Sequence, residues 1–272
     1  MIATLFADEF RTTRKTILPS IGIKLAIIVA GYLVAALKLP IIGGIGMSVG
    51  IAASIALTPA VLALLVAHYW RTMYGAQGYF TMTIPVRGRT IFAAKVLYGF
   101  VAAVVALALT VGMLLLAGIA HSLSQGAGPL DFLREGFAFV EPRTVWLAAA
   151  GFLLFMAYTV VSGATAMSVG AESRFSHLGF GAPVIFMVIL YFAMQLVGLA
   201  AMVFVPFGVR LTGPDAGSFV AEGMMRDLTA ALADPSAEPG VLGLGIVPVF
   251  VLAAIALAWW GATSVDRRTS LR

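Results

Sequence analysis

A chain of 272 residues that is 61% hydrophobic and only 11% charged, with a mean hydropathy of +1.03, lies far outside soluble globular composition and reads as an integral membrane protein. It contains no cysteine, which excludes a disulfide framework, a thiolate metal site and a thiol nucleophile. Several apolar runs reach the roughly 20 residues that a helix needs to cross about 30 Å of hydrocarbon, and they are too long and unbroken for barrel strands. The expected fold class is all-α integral membrane, with six transmembrane helices whose backbone groups are satisfied within each helix.

Residues 1–16 place Ile2, Leu5, Phe6 and Phe10 at helical spacing among Asp8, Glu9, Arg11, Arg14 and Lys15, the pattern of an amphipathic helix lying in the interface. The first span follows over 17–37. It is too long for a signal-peptide core, so it is expected to be retained and to target the chain. Lys24 sits about 10 Å into it at 1.5 Å per residue, within reach of the interface for a snorkelling side chain. A turn at Lys38-Leu39-Pro40 leads to the second span, 45–67, which holds Pro59 and the pair Gly46-x-x-x-Gly50, a spacing that lets helices approach closely.

Residues 68–95 form the first long polar connection. The third span covers 96–120, and a short amphipathic piece at 131–138 precedes the fourth, 144–170. The polar segment 171–177 leads to the fifth span, 180–205. In the second long polar stretch, 206–243, Ser218 looks like an N-cap, Ala221, Met224, Met225, Leu228, Ala231 and Leu232 share one face, and Asp234-Pro235 stops the helix. The sixth span covers 244–265. All six are read as one transmembrane domain, 1–272.

Six crossings put both termini on one side. That side carries eleven Lys and Arg against four acids, and the other five against eight, with Lys24 set aside. The basic side is expected to face the cytoplasm of the cell membrane, and with it both termini and the 68–95 connection. Topology accounts for the positive charge, and no pattern for nucleic acid is present.

No Asp or Glu falls inside the six spans, which weakens an ion-coupled carrier, since proton or sodium coupling usually needs an anionic or titratable group at depth. His68, His121 and His177 lie at helix ends without a carboxylate-rich motif, as interfacial residues rather than metal ligands. Neither an intramembrane protease constellation nor a G-x-x-x-x-G-K-[ST] loop is found, so the chain is expected to have no catalytic, metal or nucleotide site of its own.

The stretch Tyr74-Gly-Ala-Gln-Gly-Tyr-Phe-Thr-Met-Thr-Ile-Pro-Val86, followed by a basic turn and by Lys95, resembles the loop after the second helix of ABC-2-type permease subunits of ABC transporters. In that family the segment often reads as an acidic residue, Gly-Tyr-Leu, a threonine-rich stretch, Leu-Pro-Val, and a Lys opening the third helix. Here Gln77 replaces the glutamate, although an amide still donates and accepts hydrogen bonds. The resemblance extends to the six-span layout, the N-terminal amphipathic helix and the outer helical segment.

What it implies is a permease subunit of an exporter. Such a subunit pairs with a second permease chain in the bilayer and is driven by cytoplasmic ATP-binding cassette subunits that carry ATP and Mg. The ATPase would contact Gln77, Tyr79, Thr81, Met82, Thr83, Ile84 and Pro85 on a coupling helix. Glu172, Arg174 and Phe175 would form a second contact. Arg87 and Arg89 are explained either by topology or by acidic groups of the partner. By the same resemblance Ser54, Thr58, Phe186, Tyr191 and Gln195 would line the solute path. The rival reading is a membrane assembly or sensory protein that binds a cytoplasmic partner through the same loop and moves no solute.

Overall fold

The structure, a computed structural model, describes the chain except residues 38, 40, 76, 84, 139–141, 213, 214, 216, 235, 237 and 268–272. At 137, 142–144, 176 and 267 it describes the backbone alone. The expected turn at Lys38 and Pro40, the contact at Ile84, the stop at Pro235 and the terminal Arg268 and Arg272 lie outside the described residues. About 81% of the chain is helical, and six helical segments are long and apolar enough to span a membrane. The chain divides into two compact units, Met1–Val140 and Glu141–Ser270.

In the first unit α1 (Ile2–Ala36) packs along α2 (Ile42–Ile55) and α5 (Gly88–Ser124), with α3 (Leu57–Met73) against α5. The first expected boundary is not seen. Residues 2–36 form one continuous helix, with no turn between an interfacial piece and a span. The reason is that the inward positions of its first turns already have partners: Phe6 packs edge-on against Tyr98 with ring centroids 5.4 Å apart, and Thr13 and Ile17 are buried.

The second span is broken at Ala56, because Pro59 has no N–H to donate to the carbonyl of Ile55 one turn earlier. The third span begins at Gly88 rather than near residue 96, so the connection is shorter than expected. His68–Met73 close α3, Arg89–Lys95 open α5, and only 74–87 lie between.

The α1–α2 seam is built from small residues. A Cβ on Gly31 would stand 2.7 Å from the Gly46 carbonyl oxygen, and one on Gly50 would stand 2.3 Å from the Tyr32 ring. Backbones this close gain van der Waals contact, which lipid of equal apolarity cannot supply, and so the Gly46-x-x-x-Gly50 pair does pack a helix. The large side chains point the other way: Leu33 is 64% exposed, as expected of a surface that faces hydrocarbon. Beyond α5, α6 (Asp131–Ala138) takes the bounds of the expected amphipathic piece, and its Phe132 ring fills the notch at Gly118.

The second unit packs α7 (Pro142–Gly170) on α8 (Gly181–Phe204) and α10 (Ile246–Arg267), with a 3-10 turn at Ser173–Leu178. Its seam is also small-residue, with Ala166, Thr165, Ser168 and Ser264 fully enclosed. The Thr165 hydroxyl donates to the Leu257 carbonyl at 2.8 Å, and that of Ser264 to the Ser168 carbonyl at 3.1 Å.

The stretch expected to be a loop with one helix is more ordered than its sequence shows. β1 (Gly208–Arg210) pairs antiparallel with β2 (Phe219–Val220) and with β3 (Val241–Gly243), in the order β2-β1-β3. Ser218 is therefore no N-cap: it leads into β2, and its carbonyl accepts from Arg210 N–H at 3.0 Å. The helix, α9, runs over Met225–Ala233. Asp227 on it accepts from Val241 N–H at 2.8 Å, which ties it to the sheet. Asp234 ends α9 in extended backbone, and the Ser236 hydroxyl and N–H, both donating to it, hold its carboxyl below the usual range.

Candidate functional site

Between α3 and α5 the chain turns through α4 (Gly78–Thr83), one short helix. Six residues cannot hold a helix alone, because nucleation costs more than one turn returns. What holds it is a graft onto α3. The Thr81 hydroxyl donates to the Thr72 carbonyl at 2.7 Å, and Gly78 N–H donates to the Gly75 carbonyl at 2.9 Å. That graft decides which side chains face outward. Thr81 and Met82 are half-buried, whereas Tyr79 is 69% and Phe80 78% exposed. Gln77, Thr83, Pro85, Arg87 and Arg89 are exposed on the same segment.

The expected contact surface is thereby shifted: its apolar area comes from Tyr79 and Phe80 more than from Met82. Phe80 is absent from the contact set read from the sequence. Its only signal there is its place beside Tyr79, since helix phase is undefined over six residues.

Directly beneath α4, Thr72 carries two further bonds. Its hydroxyl donates to the His68 carbonyl at 2.9 Å and accepts from the Lys95 ammonium at 2.9 Å. Lys95 also pairs with the Glu9 carboxylate, whose other oxygen meets His68 Nε2 at 2.9 Å. The Tyr69 ring lies 5.9 Å from the ammonium, and Tyr98 bonds to Thr13 one turn further along.

The Lys95 side chain is 5% and that of Glu9 14% exposed. Burying one such charge costs several kcal/mol, and only a close, fully bonded partner offsets it. This cluster joins α1, α3 and α5 to the root of α4. Glu9 and Lys95 are 86 positions apart, so no local sequence pattern could have paired them.

In the second unit the other expected contact forms a group of its own. Glu172 is 2% exposed and bonded to Arg174 Nε at 2.9 Å, and the Arg174 guanidinium lies 4.6 Å from the Phe175 ring centroid. Arg174 is the member that faces outward.

The residues expected along a solute path separate into two kinds. Ser54 is fully buried and its hydroxyl is 2.8 Å from that of Tyr32, while Thr58 bonds to Thr110 at 2.8 Å. Both fasten helices inside the first unit. Phe186 packs edge-on against Trp260 at 5.3 Å. Tyr191 and Gln195 differ, because they line a cavity of about 290 Å³ among α7, α8 and α10. Phe155, Tyr158, Met194 and Phe250 line it too. Aromatic and methionine residues are so common in apolar spans that their convergence is visible only in three dimensions.

Among the described residues no group of three or more His, Cys, Asp or Glu side chains could hold a metal ion. The six apolar helices define a multi-pass helical membrane protein. No family model, no curated protein and no solved structure matches the chain.

Proposed function

We propose that this chain is the transmembrane permease subunit of an ATP-binding cassette exporter, with α4 as the helix that seats in a partner ATPase. The observation that carries the reading is α4 itself: a six-residue helix, tied through Thr72 to a buried ionic cluster and presenting Tyr79 and Phe80 outward. An exposed aromatic pair on a connection outside the spans supports a contact surface.

A rigidly rooted helix can pass a partner's movement to the helices that hold it, which is what coupling through a packed element requires. The path would run from Thr81 to Thr72, then through Lys95 to Glu9 on α1. The positive balance supports a cytoplasmic location for α4 and both termini in the cell membrane. In this reading ATP and Mg belong to the partner, a second permease chain completes the path, and Arg174 with Phe175 offers a further ATPase contact.

The test is purification from the native host in mild detergent, followed by mass spectrometry of stoichiometric partners. A Walker-motif ATPase is the expected companion. Recovery of the chain alone, or with a soluble protein lacking that motif, overturns the transport reading and leaves the non-transporting assembly protein in its place.

A further inference from the structure

The cavity among α7, α8 and α10 is half-open and lies midway along α8, with Tyr191 and Phe155 exposed at its rim. Gln195 is nine residues from the end of α8 at Phe204, about 14 Å at 1.5 Å per residue, which is near the middle of a hydrocarbon layer about 30 Å thick. Its volume of about 290 Å³ falls at the lower end of the range for small-molecule sites. One wall is aromatic, with Tyr158 and Phe250 rings 4.9 Å apart and Phe155 a further 5.9 Å from Phe250. The opposite wall, on α8, brings Met187 and Met194, whose flexible thioethers adapt to ring edges.

We propose that this cavity binds an uncharged, ring-bearing lipophilic molecule that carries one hydrogen-bonding group. The lining contains no Asp, Glu, Lys, Arg or His, so a charged ligand would enter a low-dielectric site without a counter-charge, at a cost of several kcal/mol. The hydrogen-bonding group follows from the polar lining: the Tyr158 and Tyr191 hydroxyls and the Gln195 amide can donate or accept, and two further hydroxyls can accept. Thr159 donates to the Phe155 carbonyl at 2.8 Å and Ser162 to the Thr159 carbonyl at 3.0 Å, so each proton is committed within α7 and each oxygen retains lone pairs able to accept. At this depth such a molecule enters from the hydrocarbon. That it is the transported solute rests on the permease reading; that it binds does not.

The test uses the purified full-length chain in lipid nanodiscs and tritiated N-phenyl-1-naphthylamine, an uncharged aromatic amine with one N–H. Its matched comparison is 8-anilino-1-naphthalenesulfonate, the same ring system with an anionic group. The expected result is a saturable component, beyond that of empty discs, approaching one molecule per chain. The sulfonate should bind about tenfold or more weakly.

Met194→Trp should fill the cavity and weaken the amine about tenfold, whereas Leu196→Trp, on the same helix outside the cavity, should leave it unchanged. If Met194→Trp does not fold, Tyr191→Ala, at a position 59% exposed, replaces it and should weaken binding about fivefold. Uptake no greater than that of empty discs, equal binding of the sulfonate, or equal loss from Leu196→Trp overturns the proposal. A chain that binds the amine but recovers no ATPase keeps the site and loses the permease reading. One that recovers its ATPase without binding loses the site alone.

Discussion

Spanning segments of 35, 32 and 37 residues build the first unit, and helices of 29, 24 and 22 build the second. At 1.5 Å per residue, the longest is about 56 Å and the shortest about 33 Å, against hydrocarbon about 30 Å thick. The second set exceeds the bilayer by less than the first, and in the extra turns of the first lie Glu9, His68, Thr72 and Lys95. The first unit therefore combines a lipid-like body with a charged head that roots α4. The second fastens its helices by hydroxyl-to-carbonyl bonds and keeps an uncharged cavity at depth. Length beyond the bilayer makes room for a buried ion pair between helices, as at Glu9 and Lys95, whereas the buried carboxylate of the second unit, Glu172, pairs with Arg174 in the turn outside its long helices.

Substitutions that separate these two modes differ in size. The largest effect is expected from Lys95→Met, which leaves the buried Glu9 carboxylate with His68 alone and should cost about 3–5 kcal/mol. Thermal unfolding in detergent should show a large loss for Lys95→Met and a much smaller one for the double variant with Glu9→Gln, since the pair leaves together. Equal losses would mean that the two groups do not act as a pair.

Next comes Gly50→Val, whose new side chain meets the Tyr32 ring and should cost about 1–3 kcal/mol through overpacking. Its counterpart in the second unit, Gly151→Ala, meets nothing within 4 Å and should leave stability unchanged or raise it by up to about 1 kcal/mol. A similar loss at both would contradict the close α1–α2 seam.

Smaller still, Thr165→Val removes the bond to Leu257 and should cost about 0.6 kcal/mol, the usual worth of one such bond between membrane helices. A loss as large as that of Lys95→Met would place the second unit in the same class as the first. Last, Tyr79→Asp with Phe80→Asp should change stability by no more than about 0.5 kcal/mol, as exposed positions do. The same variant should abolish partner recovery, which separates a contact surface from a structural one. Unchanged recovery would remove α4 from the interface.

How much of this was legible follows from what each feature depends on. Hydropathy over about 20 residues locates the six spans, and the amphipathic piece at 131–138 is found to the residue, because both are local patterns. Helix ends are less legible: α5 begins eight residues early because Lys95 is neutralised by Glu9, and no window that scores charge as unfavourable can see that partner.

The three strands of two or three residues carry no alternation long enough to detect, and so Ser218 reads as a cap. At the candidate site the position of α4 was legible as a motif while its orientation was not. The Thr81–Thr72 bond sets which face is exposed, and it moves the apolar contact from Met82 to Tyr79 and Phe80. Of the residues assigned to a solute path, Ser54 and Thr58 are engaged in packing, and only depth and convergence distinguish Tyr191 and Gln195 from them.

The most direct measurement places a photoreactive phenylalanine analogue at Phe80 and irradiates intact cells of the native host. One prominent adduct is expected, with a Walker-motif ATPase as its second component, and little or none from the same probe at half-buried Met82. An adduct with any other protein, with lipid alone, or equally from both positions would contradict α4 as the seat of an ATP-binding cassette subunit.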